Sequence, residues 1–126
     1  MIKEKKKGGY ESNFSGGLMV VRINGEIDHH SAVDMRTGID AELFERHPSK
    51  LILDLSGVDF MDSSGLGLIL GRLANMRKVG GELVILNPND GVMKILKLAG
   101  AERILKIETV EISSEKDRKR GVRYGK

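Results

Sequence analysis

The stretch Phe60, Met61, Asp62, Ser63, Ser64, Gly65, Leu66, Gly67 sets two hydroxyls and a carboxylate between the apolar run Leu51 to Leu55 and a helical pattern. In that pattern Leu66, Ile69, Leu70, Leu73 and Met76 recur at steps of three or four, so they share one face, and Gly80 and Gly81 end it. Ser63 or Ser64 is the natural N-cap, because a side-chain oxygen there accepts from a free amide of the first turn. The same unpaired amides and the helix dipole favour an anion by roughly 0.3–1 kcal/mol at exposed sites. A phosphate on a serine here would not unfold its host; simple capping is the plainer use of the same hydroxyl.

Other chemistries ask for partners at spacings this chain lacks. A serine hydrolase would need His29 or His30 as base and Asp28 to orient it, but Met61 stands where a Gly-x-Ser-x-Gly elbow has its first glycine. Adjacent Asp28, His29 and His30 project in different directions, and no histidine pair at i, i+4 completes a metal site. Gly65, Gly67 and Gly71 form G-x-G-x-x-x-G with no P-loop lysine, a weak nucleotide signal. Glycines so placed more often let a helix approach a sheet. Most methionines read as core filler, whereas Met61 lies in the loop before the serines, where an exposed apolar side chain would anchor a partner and a partly buried one would not.

With 126 residues the chain fits one domain, and without cysteine it has no disulfide, thiolate metal site or cysteine nucleophile. A cytoplasmic, soluble protein is expected, since no apolar run is long enough to span a bilayer. The net charge of +3 is misleading. Residues 1–7 hold +3 and residues 115–126 hold +4, which leaves −4 on residues 8–114. An acidic body argues against direct nucleic-acid binding, although the basic tail could hold phosphates weakly. We expect a basic extension over 1–8, a folded domain over 9–112 and a charged, disordered tail over 113–126.

Elements that position the serines can be read along the chain. Tyr10 to Phe14 and Leu18 to Ile23 flank Gly16 and Gly17 as an antiparallel hairpin. Ser31 with Asp34 resembles a capping box for a helix carrying Val33, Ile39, Leu43 and Phe44 that ends before Pro48. Strands follow at Leu51 to Leu55, Glu82 to Leu86 and Arg103 to Ile107, with a helix through Val92, Ile95, Leu96 and Ala99 closed by Gly100. The fold class is α/β: a mixed sheet with an N-terminal antiparallel hairpin, then alternating helices and mostly parallel strands. Turns after Ile23, Leu55 and Leu86 should gather on one rim, bringing Glu26, Asp28, His29 and His30 toward Ser63, with Asp59 and Asp62 adding negative charge.

Two blocks resemble a known family, the anti-sigma factor antagonists of bacteria, which are single-domain STAS proteins, and the likeness is greatest to its sporulation branch. Gly25 to His30 is similar to the family's first loop, and Phe60 through Gly71 and Arg72 to its phosphorylation loop and following helix, with Gly80, Gly81 and Glu82 extending the match. The similarity runs from about Leu18 to Ile107. It implies a regulatory binding protein, not an enzyme, whose unphosphorylated form binds an anti-sigma factor serine kinase and so frees a sigma factor. The implied phosphorylation site is Ser63, and a separate serine phosphatase reverses the modification. Partner contacts are implied at Glu26, Asp28, His29, Met61, Asp62, Ser64 and Gly65, although solvation or capping would equally explain Asp28, and helix capping alone would explain Ser64. The chain needs no metal or cofactor of its own, since ATP belongs to the kinase, and it is expected to be a monomer when free. A STAS phosphoswitch in a stress-response or other partner-switching pathway is the alternative. The family's last amphipathic helix has no counterpart in the sequence pattern here, because beyond Ile112 only Val122 and Tyr124 interrupt the charges.

Overall fold

The computed structural model describes residues 8–111, so residues 1–7 of the expected basic extension, the tail and the family's last helix lie outside the described residues. Strands β1 (Gly9–Ser15) and β2 (Leu18–Ile27) form the hairpin, with Gly16 and Gly17 at φ 55° and 84° in its turn. These are conformations that glycine adopts without a Cβ clash. Helix α1 (His29–Arg46), strand β3 (Lys50–Met61), helix α2 (Ser63–Lys78), strand β4 (Glu82–Leu86), helix α3 (Asp90–Leu98) and strand β5 (Lys106–Glu108) follow.

The sheet order is β1-β2-β3-β4-β5, with β1 antiparallel to β2 and every later pair parallel. Strands added in one direction through right-handed crossovers put their helices on the same face. That face holds the main core, where Met19, Val21, Ile23, Leu51, Leu53, Leu55, Leu83 and Ile85 meet Met35, Ile39 and Leu43 of α1 and Leu68, Ile69 and Met76 of α2. Burying each such side chain stabilises the fold by about 1.5–3 kcal/mol relative to exposure. Ile52, Val84 and Leu86 form a smaller cluster on the opposite face with Leu18, Val20 and Val110.

Local boundaries differ from the sequence reading in three places. Helix α1 starts three residues early: Asp28, with extended backbone, is its N-cap, and Ser31 is the third helical residue, completing a capping box with Asp28 instead of opening one with Asp34. Both β2 and β3 continue past Ile23 and Leu55, running together as a parallel pair to Ile27 and Met61 while β4 stops at Leu86, opposite Asp54. Two register shifts on β3 carry this extension, and inward positions change from Leu51, Leu53 and Leu55 to Val58 and Met61. Arg103 is not in a strand, because residues Ala101–Arg103 form a 3₁₀ turn after Gly100 and β5 begins at Lys106.

Candidate functional site

The overhanging ends of β2 and β3 form the expected rim, moved outward by several residues. Glu26 pairs with Phe60 and Ile27 with Met61, and the Asp62 amide donates to the Ile27 carbonyl at 3.4 Å. That bond ties the start of α2 to the strand leading into α1, so the two helix N-termini open beside each other. Asn89 fastens the overhang from the third side: its amide nitrogen donates to the Val58 carbonyl at 3.0 Å, while its oxygen caps α3 at the Val92 amide at 2.8 Å.

At the start of α2 the cap is Asp62 and neither serine. Its backbone is extended, its Oδ1 accepts from the Ser64 amide at 2.7 Å, and its carbonyl accepts from the Gly65 amide at 3.0 Å. The backbone arriving from β3, held by the Ile27 carbonyl, leaves Asp62 extended and Ser63 already helical, which explains the one-residue shift. Ser63 therefore becomes the first residue of the helix, exposed, and its hydroxyl makes no hydrogen bond among the described residues. Ser64, half-buried, contributes its amide to the cap.

Below the serines the packing is tight. Met61 is 1% exposed and belongs to the core, which corrects its expected role as an exposed anchor. Gly65 is buried above it, and a Cβ at that position would lie 2.7 Å from both Cβ and Sδ of Met61. Gly65 thus permits helix and strand to touch; Gly67 and Gly71, also expected to do so, have nothing within 4 Å of a built Cβ. The apolar side chain the rim does offer is Phe60, 57% exposed. The sequence reading missed it, because the register shift after Val58 breaks strict alternation on β3.

The rim carries several acidic side chains. Asp28, Asp59 and Asp62 are exposed and Glu26 is half-buried. Asp28 accepts from the Ser31 amide at 2.9 Å, while its own amide donates to Ser31 Oγ at 3.0 Å. Hydrogen bonds from the Ser31 amide and hydroxyl hold its carboxyl below the ordinary 3.8. His29 and His30 are exposed at the start of α1 with ring centroids 6.1 Å apart, and among the described residues no hydrogen bond joins either to Ser63. The arrangement thus lacks the base contact of a hydrolase. Among the described residues no group of three or more His, Asp or Glu could hold a metal ion.

Behind the rim, α1 and α2 are clasped by a buried charge. Arg72, 3% exposed, donates from Nη2 to Asp40 Oδ2 at 3.2 Å, with Nε in charge contact with Oδ1 at 2.9 Å, and Asn75 donates to Oδ1 at 2.9 Å. Removing Asp40 would leave the buried Arg72 guanidinium without its counter-charge, so the clasp fixes how the helix starts sit relative to each other.

Among the described residues no helix is long and apolar enough to cross a membrane. The STAS domain profile matches residues 10–113. The anti-sigma F factor antagonist of Paenibacillus polymyxa is 36% identical over 98 residues, spanning 78% of this chain and 84% of that protein. Among solved structures, the anti-sigma factor antagonist SpoIIAA in its unphosphorylated form superposes with TM-score 0.73 at 30% identity, covering 90% of this chain and 98% of that one. The phosphorylated form of the Bacillus cell fate determinant SpoIIAA gives 0.68 at 28% identity, covering 91% and 100%. An α/β sheet with a leading hairpin, an aspartate-capped helix start carrying a free serine and these likenesses together place the chain in the STAS family, as an anti-sigma factor antagonist.

Proposed function

We propose that Ser63 is the phosphoacceptor and that the rim around it is the docking surface for an anti-sigma factor that is itself a serine kinase. The unphosphorylated protein binds that kinase and releases its sigma factor; a serine phosphatase restores the binding form; no metal or cofactor is held by this chain, which works in the cytoplasm. The observation that carries this reading is the exposed Ser63 hydroxyl on the first turn of α2, without a hydrogen bond among the described residues and next to the capping Asp62, on a rim that also carries the exposed Asp28 and Asp59. Likeness to a protein solved in phosphorylated and unphosphorylated forms supports it.

The physics of the switch is asymmetric. A phosphate adds about −1.5 to −2 charge. Within the fold, the unpaired amides of the first turn lower its cost. At the docked surface the same charge adds to three carboxylates and must be desolvated against the partner, where like-charge juxtaposition costs several kcal/mol. The partner therefore leaves while the fold persists. Phe60 supplies an apolar anchor beside the serine, with contributions from Glu26, His29 and Ser64; Met61 and Gly65 act from beneath, by shaping the α2 start.

Mixing the protein with a sporulation-type anti-sigma kinase tests this. With ADP a stable complex should form on size exclusion; with ATP the complex should dissolve as mass spectrometry finds one phosphate on Ser63. Phosphate at another residue would overturn the assignment. A complex only with a stress-response kinase would move the protein to that pathway.

A further inference from the structure

Gly67 sits inside α2 without positive φ, and a Cβ built there meets nothing within 4 Å. Glycine is a poor helix former beside alanine, yet here neither a turn nor internal packing calls for it. Its surroundings supply a reason. Between the two clasped helices runs a groove of about 220 Å³, where Ala32, Val33 and Arg36 of α1 face Ser64, Gly67 and Leu68 of α2. Val33, on the α1 side of the groove, is 38% exposed. Arg36 is exposed and forms no ion pair among the described residues, since Asp40 is taken by Arg72.

The groove is continuous with the rim through Ser64 and His29, so a partner seated on Ser63 reaches into it without a break. We propose that it is the second contact of the anti-sigma factor: one apolar side chain of that partner inserts between α1 and α2 against the bare backbone at Gly67, carried next to a carboxylate that meets Arg36. The inference rests on the partner-binding reading above and adds where the anchor goes. Any side chain at position 67 would occupy space the partner needs. The glycine therefore lowers helix propensity in the free protein and leaves room in the complex.

Gly67→Ala and Gly67→Leu test it, with melting temperature and affinity for an ADP-loaded anti-sigma F factor measured on the full chain. Both variants should melt higher, Gly67→Ala by about 4 °C. Affinity should fall with the size of the new side chain, by about ten- to hundredfold for Gly67→Leu. Arg36→Glu should weaken the complex mainly at low salt. A wild-type complex that Gly67→Leu leaves intact overturns the groove alone, and so does a lower melting temperature, which would mean the protein itself fills the space. Absence of any wild-type complex removes the rim reading and this inference with it.

Discussion

The two helix starts on the rim use one residue type to opposite ends. At α1, Asp28 and Ser31 bond reciprocally, and Ser31 is 6% exposed, with its hydroxyl 3.3 Å from the Glu26 and Asp28 carbonyls. At α2, Asp62 caps Ser64, but the third helical residue is Gly65, which has no side chain to return a bond. The first start is closed on itself. The second leaves the Ser63 hydroxyl without a hydrogen bond among the described residues and Phe60 57% exposed. A hydroxyl already engaged in a cap, like that of Ser31, would have to break bonds and leave a buried site to be phosphorylated, whereas Ser63 gives up nothing. The same N-cap chemistry makes a fixed corner in one place and a modifiable one in the other.

The largest expected effect breaks the open start chemically. Ser63→Asp should reduce affinity for the anti-sigma kinase at least about hundredfold, through repulsion of several kcal/mol, while Ser63→Ala keeps binding and takes up no phosphate; titration and mass spectrometry read both. If Ser63→Asp bound like the wild type, charge would not be the signal. Next, Gly65→Ala drives a methyl into Met61 and should destabilise the fold by about 1–3 kcal/mol in urea denaturation. Its opposite effect to Gly67→Ala would sharpen the contrast between a glycine required by the fold and one that is not.

Smaller effects separate the caps themselves. Asp28→Ala, which opens a reciprocal box, should lower the melting temperature by about 5 °C, and Asp62→Ala, which removes one bond from an exposed start, by about half as much. Equal losses would contradict the difference drawn here. The smallest is a pH effect. Since the folded Asp28 carboxyl titrates below its ordinary 3.8, its contribution is present above that pH and is lost as pH falls through the lowered value. Acid titration of Asp28→Asn should lack that component, and the wild type should show no loss from Asp28 between pH 5 and 7.

Periodicity was enough to identify the elements. Alternation and glycine placed the hairpin; the steps from Leu66 to Met76 placed α2; and Glu82–Leu86 is a strand with the bounds the apolar run implied. The place of the candidate site was legible too, because a serine pair between an apolar strand and an amphipathic helix marks a helix start whatever the fold. Which residue would cap that start was not. Ser63, Ser64 and Asp62 are all competent caps, and only the backbone arriving from β3, held by the Ile27 carbonyl, decides which one is extended and which is already helical.

Tertiary structure also settled which side chains face out. Met61 and Phe60 are neighbours of similar hydrophobicity, and no sequence pattern says which is buried once β3 departs from strict alternation. The register shifts against β2 turn Met61 under Gly65 and leave Phe60 57% exposed. The groove at Gly67 exists for the same kind of reason, since it depends on how far apart the Arg72, Asp40 and Asn75 clasp holds α1 and α2. Local propensity and spacing are properties of a few neighbouring residues and survive in the sequence. Exposure, register and the gap between two helices are set by contacts made across the chain, so they appear only when the sheet and its helices have packed.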